Sequence, residues 1–219
     1  MPHSSPKSDV PRSEPVAGES PWRTASDRAR EREIKREAVI LAAARAFRAR
    51  GYHNTSLDDI ARSLHVTKPT VYHYVQNKEQ ILFECFRSGV ERIRATFSEL
   101  TDRSMSGRER LLALIQGYAA AITSDFGWCM VRAEDQDLSP AMSARINEMK
   151  SEIDRGIRQL IREGIEDGSI RSCDPKMTSF ALAGALNWIA HWHKADDALS
   201  PAEIATRFIE IFDLGLRPR

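Results

Sequence analysis

The chain has 219 residues, 42% of them hydrophobic and 29% charged, a balance that supports packed domains and excludes disorder along the whole length. Its longest uncharged apolar stretch, Phe180 to Trp192, is 13 residues, short of the roughly 18 to 20 that a bilayer span needs. The net charge of +1 hides an asymmetry: residues 28–78 carry eleven Lys and Arg against five acids, while residues 79–219 carry 18 basic and 22 acidic side chains. A basic block on a mildly acidic body is the distribution expected when one end of a protein meets phosphate.

Residues 1–26 hold five of the ten prolines and almost no bulky apolar residue except Trp22, which predicts a disordered tail. The tail lacks the apolar core of a secretory signal, so a cytoplasmic location is expected. From Ser26 onward helix formers dominate and no β-branched run alternates with polar residues, so the expected fold class is all-α. A first helix, about Asp27 to Arg50, carries Ile34, Ala38, Leu41, Ala44 and Phe47 as one stripe and stops at Gly51. A second, Leu57 to Leu64, is capped by Thr55 or Ser56, with Asp58 and Asp59 at its positive end. After His65, Val66 and Thr67 comes a third of about two turns, with Thr67 as cap, Pro69 in the first turn and Val71 and Val75 facing inward.

Asn77 and Gln80 form an N-x-x-Q start for a long helix to about Leu100 with Leu82, Phe86, Val90, Ile93, Phe97 and Leu100 on one side. Leu111, Ile115, Tyr118 and Ile122 mark a further helix, and Trp128 to Glu134 a short one. Ser139-Pro140 opens a helix that Gly168 ends, Asp174-Pro175 opens the next, and Ser200-Pro201 opens the last, which carries Ile204, Phe208, Ile211 and Phe212. The helix after Pro175 is apolar on all sides, which outside a membrane places core on one side and a partner on the other. It can pair with the last helix as half of a four-helix homodimer interface.

Two short helices joined by a tight turn, at the basic end of the chain, fit a helix-turn-helix. The stretch TSLDDIARSLHVTKPTVYHYVQNKEQIL, Thr55 to Leu82, resembles the DNA-binding domain of the tetracycline-repressor (TetR) family. The likeness extends through A-x-x-x-F-x-x-x-G-Y from Ala43 to Tyr52, D-I-A at 59–61, T-V-Y-H-Y at 70–74 and N-K-E at 77–79. It implies a three-helix DNA-binding domain, 27–78, joined to a helical ligand-binding and dimerisation domain, 79–218. It further implies that Thr55 and Lys78 grip phosphates and that Thr67, Lys68, Pro69, Thr70, Tyr72, His73 and Tyr74 meet operator DNA. The chemistry agrees, since lysine donates to guanine O6 and N7, the threonine methyl and proline ring suit a thymine methyl, and tyrosine hydroxyls reach phosphate. Where the family usually has a turn glycine this chain has His65, which requires a positive φ of a non-glycine residue. Arg23, Arg28 and Arg30 precede or open the first helix, as a minor-groove arm or a solvated flank.

The resemblance also implies a small-molecule effector. Large, adaptable side chains on the converging helices are the candidates for its site: Phe97, Tyr118, Trp128, Met149 and Trp188, with Met130 beside them, although such residues also fill cores. Asn187 and His191, four residues apart on an apolar helix, need polar partners, either in a ligand or across a dimer interface. Arg132 suits an acidic ligand group or an ion pair with Glu134 or Asp135. The segment L-N-W-I-A-H-W-H-K-A-D-D-A-L-S, Leu186 to Ser200, is similar to one in TetR-type regulators of fatty-acid, steroid and aromatic degradation, which implies an apolar or amphipathic effector such as an acyl-CoA thioester. Asp197 stands where glycine is common there.

The sequence holds no G-x-S-x-G elbow, glycine-rich phosphate loop or H-E-x-x-H, so neither an enzyme nor a cofactor is expected. His191 and His193 point about 200° apart on a helix and cannot share a metal without distortion. Cys85, Cys129 and Cys173, odd in number and far apart, fit buried thiols, with redox sensing as the alternative. The expected function is a repressor released from its operator by ligand; the alternative is a helical adaptor with no small-molecule effector.

Overall fold

The computed structural model describes residues 24–100, 104–132, 137–194 and 198–218, and every regular element among them is a helix. In chain order these are α1 (Ala25–Arg50), α2 (Leu57–Ser63), α3 (Lys68–Tyr72), α4 (Lys78–Glu99), α5 (Gly107–Thr123), α6 (Gly127–Arg132), α7 (Pro140–Glu166), α8 (Pro175–Trp192) and α9 (Pro201–Leu216). The expected tail falls almost wholly outside the described residues.

Helix starts are fixed by side chains that accept from otherwise unpaired amides. Ahead of α1, the Thr24 hydroxyl accepts from the Asp27 amide at 3.1 Å while the Asp27 carboxylate accepts from the Thr24 amide at 3.0 Å. The same reciprocal box stands at Ser56, Ser106 and Ser200. At α4 the device is offset: Asn77 accepts from the Gln80 amide at 2.7 Å, but the Gln80 side chain accepts from Gln76 rather than from Asn77.

The head packs Ile40, Ala43, Ala44 and Phe47 of α1 against Ile60, Val71, Ile81 and Leu82. The buried stripe therefore lies to one side of the expected one, and Ile34 is 57% exposed because the first turns of α1 extend beyond the head. Helix α4 is shared. Ile81, Leu82 and Cys85 enter the head core, and Phe83, Phe86, Val90 and Ile93 enter the body core. Phe126 and Cys129, in and before α6, close the head core from the body side.

In the body, α5 lies against α4, α7, α8 and α9. Its first residue meets α7 backbone to backbone: a Cβ on Gly107 would stand 2.2 Å from the Gly164 amide nitrogen. The Phe97 ring similarly covers Gly156 of α7. Gly168, at φ 77°, turns the chain out of α7, and the Ile170 amide returns to the Gly164 carbonyl at 2.7 Å. Asp213 of α9 is buried between Arg108 of α5 and Arg217. Helix α8 seats Leu182, Leu186 and Ile189 in the core and leaves Met177, Phe180, Trp188 and Trp192 exposed; Ile211 and Leu214 of α9 extend the same uncovered apolar character. Among the described residues no helix is long and apolar enough to cross a membrane.

Candidate DNA interface and effector cavity

The turn between α2 and α3 closes through the Val66 amide, which donates to the Ala61 carbonyl at 3.0 Å. His65 adopts φ 55°, the left-handed backbone that its place in the turn requires and that a side chain enters only at a cost. Val71 and Val75 anchor α3 from beneath. Its other face is presented outward, with Lys68, Pro69, Tyr72 and His73 exposed and Thr70 half-buried.

Thr67 is the N-cap residue of α3 by backbone geometry, but its hydroxyl pairs with that of Thr70 at 2.9 Å and caps nothing. The Lys68 ammonium reaches Asp58 of α2 at 2.7 Å, and that bond raises its pKa, so the charge persists at neutral pH. Both side chains are exposed, so the pair is worth little to stability. The Tyr74 ring packs on the head core with His73 edge-on at 5.1 Å. Lys78 lies over the Tyr52 ring, its ammonium 4.1 Å from the centroid.

Thr55 differs from the expectation. It is 1% exposed, and its hydroxyl donates to the Gly51 carbonyl at 2.8 Å and to that of Ala46 at 3.2 Å. The hydroxyl thus ties the α1–α2 turn and does not face outward toward a phosphate; Ser56 is the residue that caps α2. Arg28 and Arg30 are exposed on the first turns of α1, and Arg23 lies outside the described residues.

A cavity of about 400 Å³ lies among α4, α5, α7 and α8, with Met130 of α6 on its border. Phe86, Val90, Met130, Ile153, Ile157 and Ala183 make it apolar; Tyr118 and Asn187 are its inner polar groups. The Tyr118 hydroxyl donates to Asn187 Oδ1 at 3.0 Å, and burial pushes the phenol up to about 12. On the outer side, α7 brings Lys150, Ser151 and Asp154, and α8 brings Phe180. Asp154 is already held by Arg158 and by the Ser179 hydroxyl at 2.7 Å.

Of the residues the sequence nominated for an effector, Tyr118 and Asn187 line this cavity, as does Met130. The others do not. Phe97 packs on Gly156, Met149 is ordinary core, and Trp128 lies against the head. Trp188 is 61% exposed and stacks on His191 at 4.3 Å, while His191 Nδ1 meets Arg132 at 2.9 Å. These three stand outside the cavity. The alternative partners named for Arg132, Glu134 and Asp135, and the Asp197 position, lie outside the described residues. Phe86 and Val90, on the apolar side of the long helix in the sequence, line the cavity, because an apolar wall and an apolar core share one periodicity.

Two contacts join head and body beside the reading unit. His53 Nε2, in the α1–α2 turn, lies 2.8 Å from Asp137 Oδ1, whose side chain is 3% exposed. The Ser139 amide, at the start of α7, donates to Glu79 of α4 at 2.6 Å. The segment leading into α7, a helix that forms the outer wall of the cavity, thereby meets the head on either side of α2 and α3.

A helix-turn-helix on a basic head, continuous through one helix with a helical body that holds a cavity, defines a ligand-linked DNA-binding transcription regulator. Residues 39–85 match the family model described as bacterial regulatory proteins of the tetR family, and residues 104–216 match that of the tetracyclin repressor-like C-terminal domain. The chain belongs to the TetR family. Among curated relatives, the transcriptional repressor KstR2 of Mycolicibacterium smegmatis is 23% identical over 81% of this chain and 88% of that protein. The fatty acid metabolism regulator protein of Bacillus subtilis is 22% identical over 81% and 93%. Among solved structures, that of AibR in complex with isovaleryl coenzyme A and operator DNA superposes with a TM-score of 0.71 at 28% identity, covering 81% of this chain and 97% of that one.

Proposed function

We propose that this chain is a dimeric repressor that reads operator DNA through α3 and leaves it when an amphipathic effector occupies the cavity among α4, α5, α7 and α8. The observation that carries this reading is the continuity of α4: it starts at Lys78, six residues after α3 ends, and its Phe86 and Val90 form a wall of the cavity. A ligand that pushes on that wall moves the base of the reading head. The α7 contacts through His53–Asp137 and Glu79–Ser139 give the same cavity a second hold on the head.

Lys68 and Thr70 are the groups offered to base edges, with Pro69 and His73 beside them, and Tyr72, Tyr74 and Lys78 are offered to the backbone. Two copies must set their α3 helices one DNA turn apart, roughly 34 Å. A small rotation of each head spoils that match. An effector preferring the mismatched state tenfold supplies only about 1.4 kcal/mol per site, so release needs both sites or a strong preference. The acyl-CoA class is supported by the AibR complex and by the apolar lining around the Asn187 amide.

The test is a gel-shift titration on the DNA upstream of the protein's own gene, with acyl-CoA thioesters and hydrophobic acids added to the complex. The expected outcome is operator-selective binding that an amphipathic compound reverses. Compounds that bind tightly yet leave operator affinity unchanged would make the body a dimerisation module only.

A further inference from the structure

The polar pair inside the cavity bears on which effector it takes, and this step rests on the cavity being the effector site. Asn187, which lines the cavity, accepts from the Tyr118 hydroxyl through Oδ1, so the donor group Nδ2 is what the amide has left to offer a ligand. Tyr118 is 5% exposed and Asn187 half-buried, so the pair stands on the inner side of the cavity, where a ligand acceptor that meets the amide hydrogens is rewarded. Around it the lining is apolar, with Phe86, Val90, Ile157 and Ala183 nearest in kind.

We infer that the cavity selects an effector bearing a neutral carbonyl, whose oxygen accepts from Asn187 Nδ2, with Tyr118 as the residue that positions the amide. A carboxylate at this depth is disfavoured. Among the described residues the one cationic group that lines the cavity, Lys150, is exposed on α7, and a desolvated anion without a cation beside it is expensive. Asp154 does not compete as an acceptor, because Arg158 and Ser179 already occupy it. The phenol, held neutral by burial up to a pKa of about 12, stays a donor to Oδ1 throughout the physiological range. The ligand class is therefore a thioester, ester or ketone on a short apolar chain. Any anionic portion points outward beside Lys150, where a cation is welcome to it and water remains available.

The discriminating probes are butyryl-CoA and its S-butyl thioether, which differ only by a carbonyl in place of a methylene. Calorimetric titration into the full chain is expected to show the thioester binding about 5- to 10-fold more tightly, the worth of one neutral hydrogen bond in a partly buried site. In Asn187→Leu that ratio should fall to about one while thioether affinity is kept, which also shows that the variant folds. Tyr118→Phe should lower the ratio part of the way. Equal affinity of the two probes for the unaltered chain would overturn the carbonyl assignment and leave the effector cavity standing. Binding of neither would also overturn it; an anilinonaphthalene sulfonate dye that brightens with the unaltered chain and not with Ile157→Trp would then show the cavity open to apolar ligands, separating this failure from that of the effector reading.

Discussion

Lys68 and Lys78 carry the same charge into different surroundings. Lys68 stands on the outward face of α3 with only an exposed partner, Asp58, to give up, whereas Lys78 is braced against Tyr52 and fixed in one direction. Lys68→Ala is therefore expected to cost about 1 to 3 kcal/mol of discrimination between operator and random DNA. Lys78→Ala should weaken both and reduce the salt slope by about one. Binding isotherms on the two DNAs at several salt concentrations check this; equal losses for Lys68→Ala would make it another backbone contact. Thr55 gives the opposite expectation. With its hydroxyl spent on the Gly51 and Ala46 carbonyls, Thr55→Val should lower unfolding stability by about 1 to 2 kcal/mol and leave the operator affinity of the folded fraction unchanged. Denaturant titration beside a gel shift separates the two effects. The motif in the sequence identified the position of Thr55 but not its orientation, because a threonine ahead of a helix serves a turn, a cap or a phosphate with the same letters.

At the scale of the helix, the sequence was most legible where local chemistry decides. Ser139-Pro140, Asp174-Pro175 and Ser200-Pro201 each open a helix as expected, since caps and prolines act within one turn. The α1 stripe was less so: Ile34 has the right spacing, but none of the described residues covers that end of the helix. The cavity was the least legible feature, because its lining and the core obey the same 3.6-residue period and differ only in whether an opposing side chain fills the gap. Close approaches between helices were likewise silent. Gly107 and Gly164 let α5 and α7 touch at the backbone, and Gly107→Ala places its methyl where a main-chain nitrogen stands. Neither partner is the end of a flexible side chain, so the helices must separate; a loss of about 1 to 3 kcal/mol or more is expected. Thermal unfolding measures it. An unchanged midpoint would mean that the crossing relaxes without cost.

For the whole molecule, the face of α8 and α9 that no described residue covers is an unfinished part of the fold. Met177, Phe180, Trp188, Ile211 and Leu214 are each half or more exposed, and Gly184 has open space where a Cβ would lie, which leaves room for another helix to come close. Apolar patches of this extent on a folded chain mark an association surface. A homodimer is expected by sedimentation at micromolar concentration, and Trp188→Glu with Ile211→Asp should convert it to a monomer that retains its helical circular dichroism but loses tight operator binding. A stable monomer in the unaltered chain would overturn this and with it the paired reading of DNA.

Two of the tryptophans stand where association through α8 would cover them. Indole emission reports the polarity of its surroundings, and Trp188 and Trp192 lie on the exposed surface of α8, whereas Trp128 sits half-buried at the head. Association through α8 would move two indoles from water into an apolar contact and shift the emission to the blue, with a protein-concentration midpoint equal to that of sedimentation. The chain thus carries its own optical gauge of assembly, readable without a label.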